Sequence, residues 1–101
     1  MTVRKNEGKL AAIRVQAWNA VETATGILAS TEDMDKSDAK RTAVEEMTAE
    51  VQKARAAAER ADKATTEVEA SDALVYAEVA ARDTQYIFDD LIGIDNGEQV
   101  V

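Results

Sequence analysis

The chain has no cysteine, no histidine and no proline, and only four of its 101 residues are aromatic. Each absence excludes something. Without cysteine there is no disulfide framework, no thiolate nucleophile and no thiolate metal site. Without histidine the Ser-His-Asp and Cys-His arrangements and the HExxH zinc site are ruled out. The four glycines, Gly8, Gly26, Gly93 and Gly97, form neither GxGxxG nor GxxxxGK[ST], so no phosphate-cradling loop is encoded. No run approaches the ~18 uninterrupted apolar residues of a membrane span. Charged and polar side chains from Arg4 to Lys9 interrupt the start of the chain where a signal peptide would need an apolar core. The expectation is a protein of the cytoplasm, intracellular or viral, not secreted, with no membrane partner and no cofactor.

What the sequence has in excess is alanine and acid. Hydrophobic residues make up 46% of the chain, but twenty of them are alanine and only 26 are larger. A domain of this size buries about two-thirds of its unfolded surface. An alanine-diluted core makes that burial thin, and self-association into a homodimer or higher assembly would supplement it. The net charge is −8 and it is uneven. Residues 1–14 carry +3 and residues 15–63 carry −3. Residues 64–101 carry −8, with nine acids against Arg82 alone. Surplus acid keeps a small domain soluble. It also repels nucleic-acid phosphates and favours basic protein partners. Direct binding to DNA or RNA is therefore not expected.

The absence of proline and the abundance of Ala, Glu, Lys and Arg predict an all-α chain. The spacing of apolar residues agrees. Leu10, Ile13, Ala17, Ala20, Ala24 and Ile27 recur at 3-4-3-4-3, widened by Val21 and Leu28. Val44, Met47, Val51, Ala54, Ala58, Ala61, Thr65 and Val68 continue the pattern without a break, as do Leu74, Ala77, Ala81, Thr84, Phe88 and Leu91. These are coiled-coil-like heptad seams. Ser30-Thr31-Glu32-Asp33 reads as a turn, Ser37 or Asp38 as a helix cap, Ser71-Asp72 as a second cap, and Gly93 as a stop. The predicted architecture is an antiparallel three-helix bundle, a helical hairpin plus a third helix. The helices cover about 7–30, 38–69 and 72–92 of a single domain 1–93, and a tail runs from 94 to 101. One continuous helix over 38–92, paired between chains, is the alternative.

Folding the seams back on one another places Val21 near Met47, Leu10 near Ala58, Ala81 near Glu59 and Phe88 near Gln52. The bundle then tapers. Alanines of the second and third helices meet at one end. Val21, Ile27, Leu28, Val44, Met47, Val51, Phe88 and Leu91 gather at the other.

Little points to catalysis. In "DMDKSDAKRTAV", residues Asp33, Asp35 and Ser37 match the first ligand positions of a calcium loop. Asp38 and Val44 then stand where glycine and glutamate are required, so an acidic interhelical turn is the better account. Glu45-Glu46 and Asp89-Asp90 are neighbours that diverge by ~100° on a helix and suit a solvated face.

The third helix carries a second apolar stripe. Val75, Val79 and Tyr86 lie off its seam, flanked by Asp83 and Asp90, with Tyr76 further round and Asp89 at the border of the seam. Val15 and Trp18 lie off the seam of the first helix. Either three-helix packing uses both faces, or these residues bind a partner, because tyrosine and tryptophan framed by charge suit interface anchors. Two functional classes follow. One is a non-enzymatic helical interaction or assembly module. The other is an acidic inhibitor, such as a virus-encoded antagonist of host defence, that occupies a basic nucleic-acid-binding surface on a target. Adaptation to high salt is a third account of the acidity.

Overall fold

Three helices of 28, 26 and 29 residues account for nearly all of the computed structural model, which describes residues 2–34 and 37–95. They are α1 (Thr2–Ala29), α2 (Asp38–Lys63) and α3 (Glu67–Asp95). All three pairs are in contact, and no strand occurs among the described residues. The three-helix bundle predicted from the seams is the observed fold.

The ends of the helices have local causes. Ser30 and Thr31 close α1 with turn hydrogen bonds to Gly26, Ile27 and Leu28, and the Thr31 hydroxyl donates to the Leu28 carbonyl at 2.7 Å. Ser37 caps α2: its backbone is extended and its Oγ accepts from the Lys40 N–H at 3.1 Å. Asp38 in the first turn and Arg60 and Lys63 in the last suit the helix dipole.

Three boundaries differ from expectation. The first helix begins at Thr2 rather than near residue 7, since nothing from Thr2 to Glu7 breaks a helix. The second turn falls at 64–66, not near residue 70. Ala64 is extended there, and the Thr66 Oγ accepts from the Glu69 N–H at 3.2 Å, opening α3. Ser71 and Asp72, expected to be the cap, are exposed residues inside α3. Gly93 does not stop the third helix, which continues to Asp95 with Gly93 itself buried. Residues 96–101 of the expected tail lie outside the described residues.

Arg14 sets the register of α1 on α2. Its Nε donates to the Ala61 carbonyl at 3.1 Å and its Nη2 to the Ala64 carbonyl at 2.9 Å. A cation thus meets the carbonyls at the negative end of α2, where the Ala61 carbonyl also accepts from the Ala64 N–H at 3.2 Å. Leu10 therefore lies a turn before the residue that meets the end of α2, and it does not pair with Ala58. Val21 packs with Ala54, Ala57 and Ala58 rather than with Met47. On the other side, the earlier turn brings Phe88 to Val44 and Met47 instead of Gln52.

The core separates into a small-residue and a large-residue cluster, with Val21, expected among the large residues, lying among the alanines. Among the described residues, thirteen of the seventeen buried apolar side chains are alanine. One cluster joins Ala17, Ala20, Val21, Ala54, Ala57, Ala58, Ala61, Ala73, Ala77 and Ala80. The other centres on Met47 and Leu91, with Ile27, Leu28, Met34, Val44, Ile87 and Phe88 packed against it. Every member of the first cluster except Val21 is alanine, and Trp18, Leu74 and Ala81 pack against it. Thr84 is fully buried, and its hydroxyl is satisfied by the Ala80 carbonyl at 2.8 Å.

Gly26 offers a check on this packing. It sits in the last turns of α1, exposed, and a Cβ built there meets nothing within 4 Å. Gly26→Ala should stabilise the chain by roughly 0.8–1 kcal/mol through helix propensity. That amounts to a rise in Tm of about 4–8 °C in a thermal melt. A lower Tm would show that α1 packs more tightly there than described.

Candidate functional site

With its turn at 64–66, α3 gains Glu67–Ser71, and this changes the second stripe. Val68, expected in the seam of the second helix together with Thr65, instead projects from α3 with 72% of its surface exposed. Val75, Val79 and Tyr86 are 56%, 39% and 59% exposed. At ~100° per residue these four fall within about 40° of one another, in a line of roughly 27 Å. Scattered exposed apolar residues are ordinary, whereas a contiguous line of them is not.

Beside the stripe runs a groove, which Val79 of these four residues lines. On the side away from α1, α2 and α3 enclose three hollows that lie end to end, with volumes of 260, 350 and 380 Å³. The first lies beside the 64–66 turn, between Arg60, Lys63 and Ala64 on α2 and Glu69 and Asp72 on α3. The second lies between Lys53, Ala56, Ala57 and Arg60 and, across from them, Tyr76, Val79, Ala80 and Asp83. The third runs between Ala39, Ala43 and Glu46 and, on α3, Ile87, Asp90 and Leu91. The floor is buried and mostly small: Ala43, Ala57, Ala64 and Ala80, with Leu91 in the third hollow. Arg60 sits over the Tyr76 ring, 5.4 Å from its centroid, and holds the ring against the α2 wall.

The rims differ in charge. Glu69, Asp72, Asp83 and Asp90 stand along the α3 rim with no base among them. Lys53, Arg60 and Lys63 stand on the α2 rim near the turn, and Glu46 and Glu50 follow toward its start. Lys53 is partly neutralised by Glu50, 3.1 Å away.

The residues singled out from the sequence are only partly brought together. Tyr76, Val79 and Asp83 share the middle hollow and Asp90 lines the third, whereas Val75 and Tyr86 are exposed on α3 and line none of the three. Asp89 faces the other way and accepts a hydrogen bond from Gln85 at 2.8 Å. Val15 is exposed on α1 and lines none of the three hollows. Trp18 is half-buried and engaged within the chain: it packs on the alanine cluster and its Nε1–H donates to Asp62 Oδ2 at 3.0 Å. The sequence reading missed Val68, Asp72 and the α2 wall. Thr66-x-x-Glu69 is a capping-box pattern, and it was the available signal that the turn comes early.

Among the described residues no group of three acidic side chains is placed to hold a metal ion. Asp35 of the calcium-like string lies outside them. A further hollow of 460 Å³ lies along the first two turns of α2, between Ser37 and Glu45. Its lining side chains, among them Arg41 paired with Asp38, include no nucleophile-base pair. No helix among the described residues is long and apolar enough to cross a membrane. No protein-family model, curated protein or solved structure matches the chain.

Proposed function

We propose that this chain is a non-enzymatic protein–protein interaction module whose contact surface is the outer face of α3 and the groove beside it. The observation that carries this is the line of Val68, Val75, Val79 and Tyr86, apolar side chains left in solvent by a chain that has few large ones to place. Fully burying a valine side chain contributes about 1.5–3 kcal/mol. The bundle leaves that contribution ungained along α3 while filling its own core with alanine. Tyrosine beside arginine is a frequent anchor at binding surfaces.

The inhibitor alternative also calls for a basic partner. However, the acids line one rim of a narrow groove walled on its other side by Lys53, Arg60 and Lys63. That shape suits an inserted element better than a broad nucleic-acid-binding surface.

A photoreactive phenylalanine at Val79, introduced in the cells that normally make the protein, tests the proposal. Irradiation should give a discrete protein adduct at position 79 and none from the same group at Glu59, which lies on the exposed side of α2 away from the groove. Equal or absent adducts at the two positions would contradict it.

A further inference from the structure

From the groove's length, floor and charge, and resting on the interaction reading above, we infer that it seats one α-helix of a partner protein, apolar toward the floor and basic along the edge that meets α3. The length fits. From Glu69 to Leu91 the groove follows 23 residues of α3, or about 34 Å at ~1.5 Å per residue, so an occupant of about twenty residues fills it. The floor fits as well. Ala43, Ala57, Ala64 and Ala80 let a fourth helix approach to the ~8–10 Å of ordinary helix packing, and the result has the layout of a four-helix bundle.

Charge selects the occupant. Asp72, Asp83 and Asp90 recur at spacings of 11 and 7 and fall within about 20° of one another on α3, on the groove side of the apolar stripe. An occupant helix meets all three; Arg60, Lys63 and Lys53 stand across the groove from Asp72 and Asp83, and the hollow of Asp90 holds Asp38 and Glu46 but no base. In one of its two directions the third helix of a second copy would set its own Asp72, Asp83 and Asp90 against the same three, and like charges held face to face oppose association. In the other direction its acids would meet Lys53, Arg60 and Lys63, so a second copy is kept as an outcome of the test. A helix with lysine or arginine along the flank toward α3 and leucine-sized residues on its inner face complements the α3 rim and the small-residue floor.

The test uses two synthetic 21-residue helical peptides with one leucine seam, one bearing lysine and the other glutamate on the flank meant for α3. Binding is measured by titration calorimetry at about 0.15 M salt, where screening leaves contact pairs effective. The lysine peptide should bind at least about tenfold more tightly, a difference of ~1.4 kcal/mol. Replacing Asp72, Asp83 and Asp90 by lysine should reverse the preference. Replacing Glu22, Asp33 and Glu59 by lysine makes the same change in net charge outside the groove and should preserve it. Unchanged circular dichroism of both variants would establish that they fold. Three results overturn the inference: no binding of either peptide, equal binding of both, or equal loss of preference in the two variants. Sedimentation of the chain alone as a dimer that Val79→Glu dissociates also overturns it, by making a second copy the occupant. In each case an adduct at position 79 would leave the interaction proposal standing, and its absence would remove that too.

Discussion

Replacing Met47 by alanine is expected to destabilise the chain by about 2–5 kcal/mol, the usual cost of removing a large buried side chain and leaving a cavity. Met47 is fully buried in the large-residue cluster, to which α1, α2 and α3 all deliver large residues. A chain of about 100 residues has a total stability of roughly 5–15 kcal/mol. With a core this rich in alanine the lower end of that range is expected, so Met47→Ala removes a large share and can unfold the chain at room temperature. Urea denaturation should show a lower midpoint with an unchanged slope. Among the described residues, Leu91 is the only other large aliphatic side chain so fully enclosed, and it shares the cluster with Met47. Leu91→Ala should cost a similar amount. The double variant should be non-additive, because the two residues line one space. A loss below about 1 kcal/mol for Met47→Ala, well under the ordinary cavity range, would show that this cluster is loosely packed.

The opposite change tests the small-residue cluster. Ala58 has no exposed surface and belongs to the cluster in which methyl groups from all three helices meet. Ala58→Leu must push backbones apart or force strained rotamers, and overpacking of this kind typically costs ~1–3 kcal/mol. Ala56, two residues away, is exposed on the wall of the α2–α3 groove. Leucine and alanine have similar helix propensity, so Ala56→Leu should change stability by less than about 0.5 kcal/mol. The pair separates packing from propensity in one thermal melt. A neutral or stabilising Ala58→Leu would show that the alanine seam is not closely packed. Loss of stability in both variants would show that the groove is already filled in solution.

The core was legible because its signal is periodic and local. A 3-4 spacing of apolar residues survives the reduction of every one to alanine, since alanine still marks the inner face when its neighbours are Arg, Glu and Lys. Ala17, Ala20, Ala24, Ala54, Ala58, Ala61 and Ala77 are all buried where the seams placed them. The turn between α2 and α3 was not legible from periodicity. Thr65 and Val68 continue the heptad phase of the preceding helix, so spacing alone carries that helix six residues too far, to 69 instead of Lys63. Local cap chemistry decides the turn, through the Thr66 hydroxyl on the Glu69 amide.

The site inherited that error. Tyr76, Val79 and Asp83 could be found as an off-seam stripe on one helix. The stripe gained Val68 only when the turn moved. The groove needs the α2 wall, and which face of α2 stands beside α3 depends on the relative rotation and register of two helices. That register is set in part by Arg14 reaching the carbonyls of Ala61 and Ala64, a contact 47 and 50 residues apart in the chain. Trp18 misled for a related reason. An aromatic ring off the seam reads as an interface anchor, but the neighbouring helix supplies Asp62 for its indole N–H.

The account rests on a division of the large apolar residues. One set, around Met47 and Leu91, holds the bundle together, and the other, along the outer face of α3, leaves between 39% and 72% of each residue exposed and contributes much less to the isolated fold. The unfolding free energy of a single variant tests this most directly: Val68→Ser, Val75→Ser, Val79→Ser and Tyr86→Ser combined in one chain. Serine, valine and tyrosine have similar helix propensities, so the variant should unfold in urea within about 1 kcal/mol of the parent. A loss of several kcal/mol, comparable to that of Met47→Ala, would mean that these side chains are already buried in solution. The outer face of α3 would then be part of the folded core and not a surface held open for a partner.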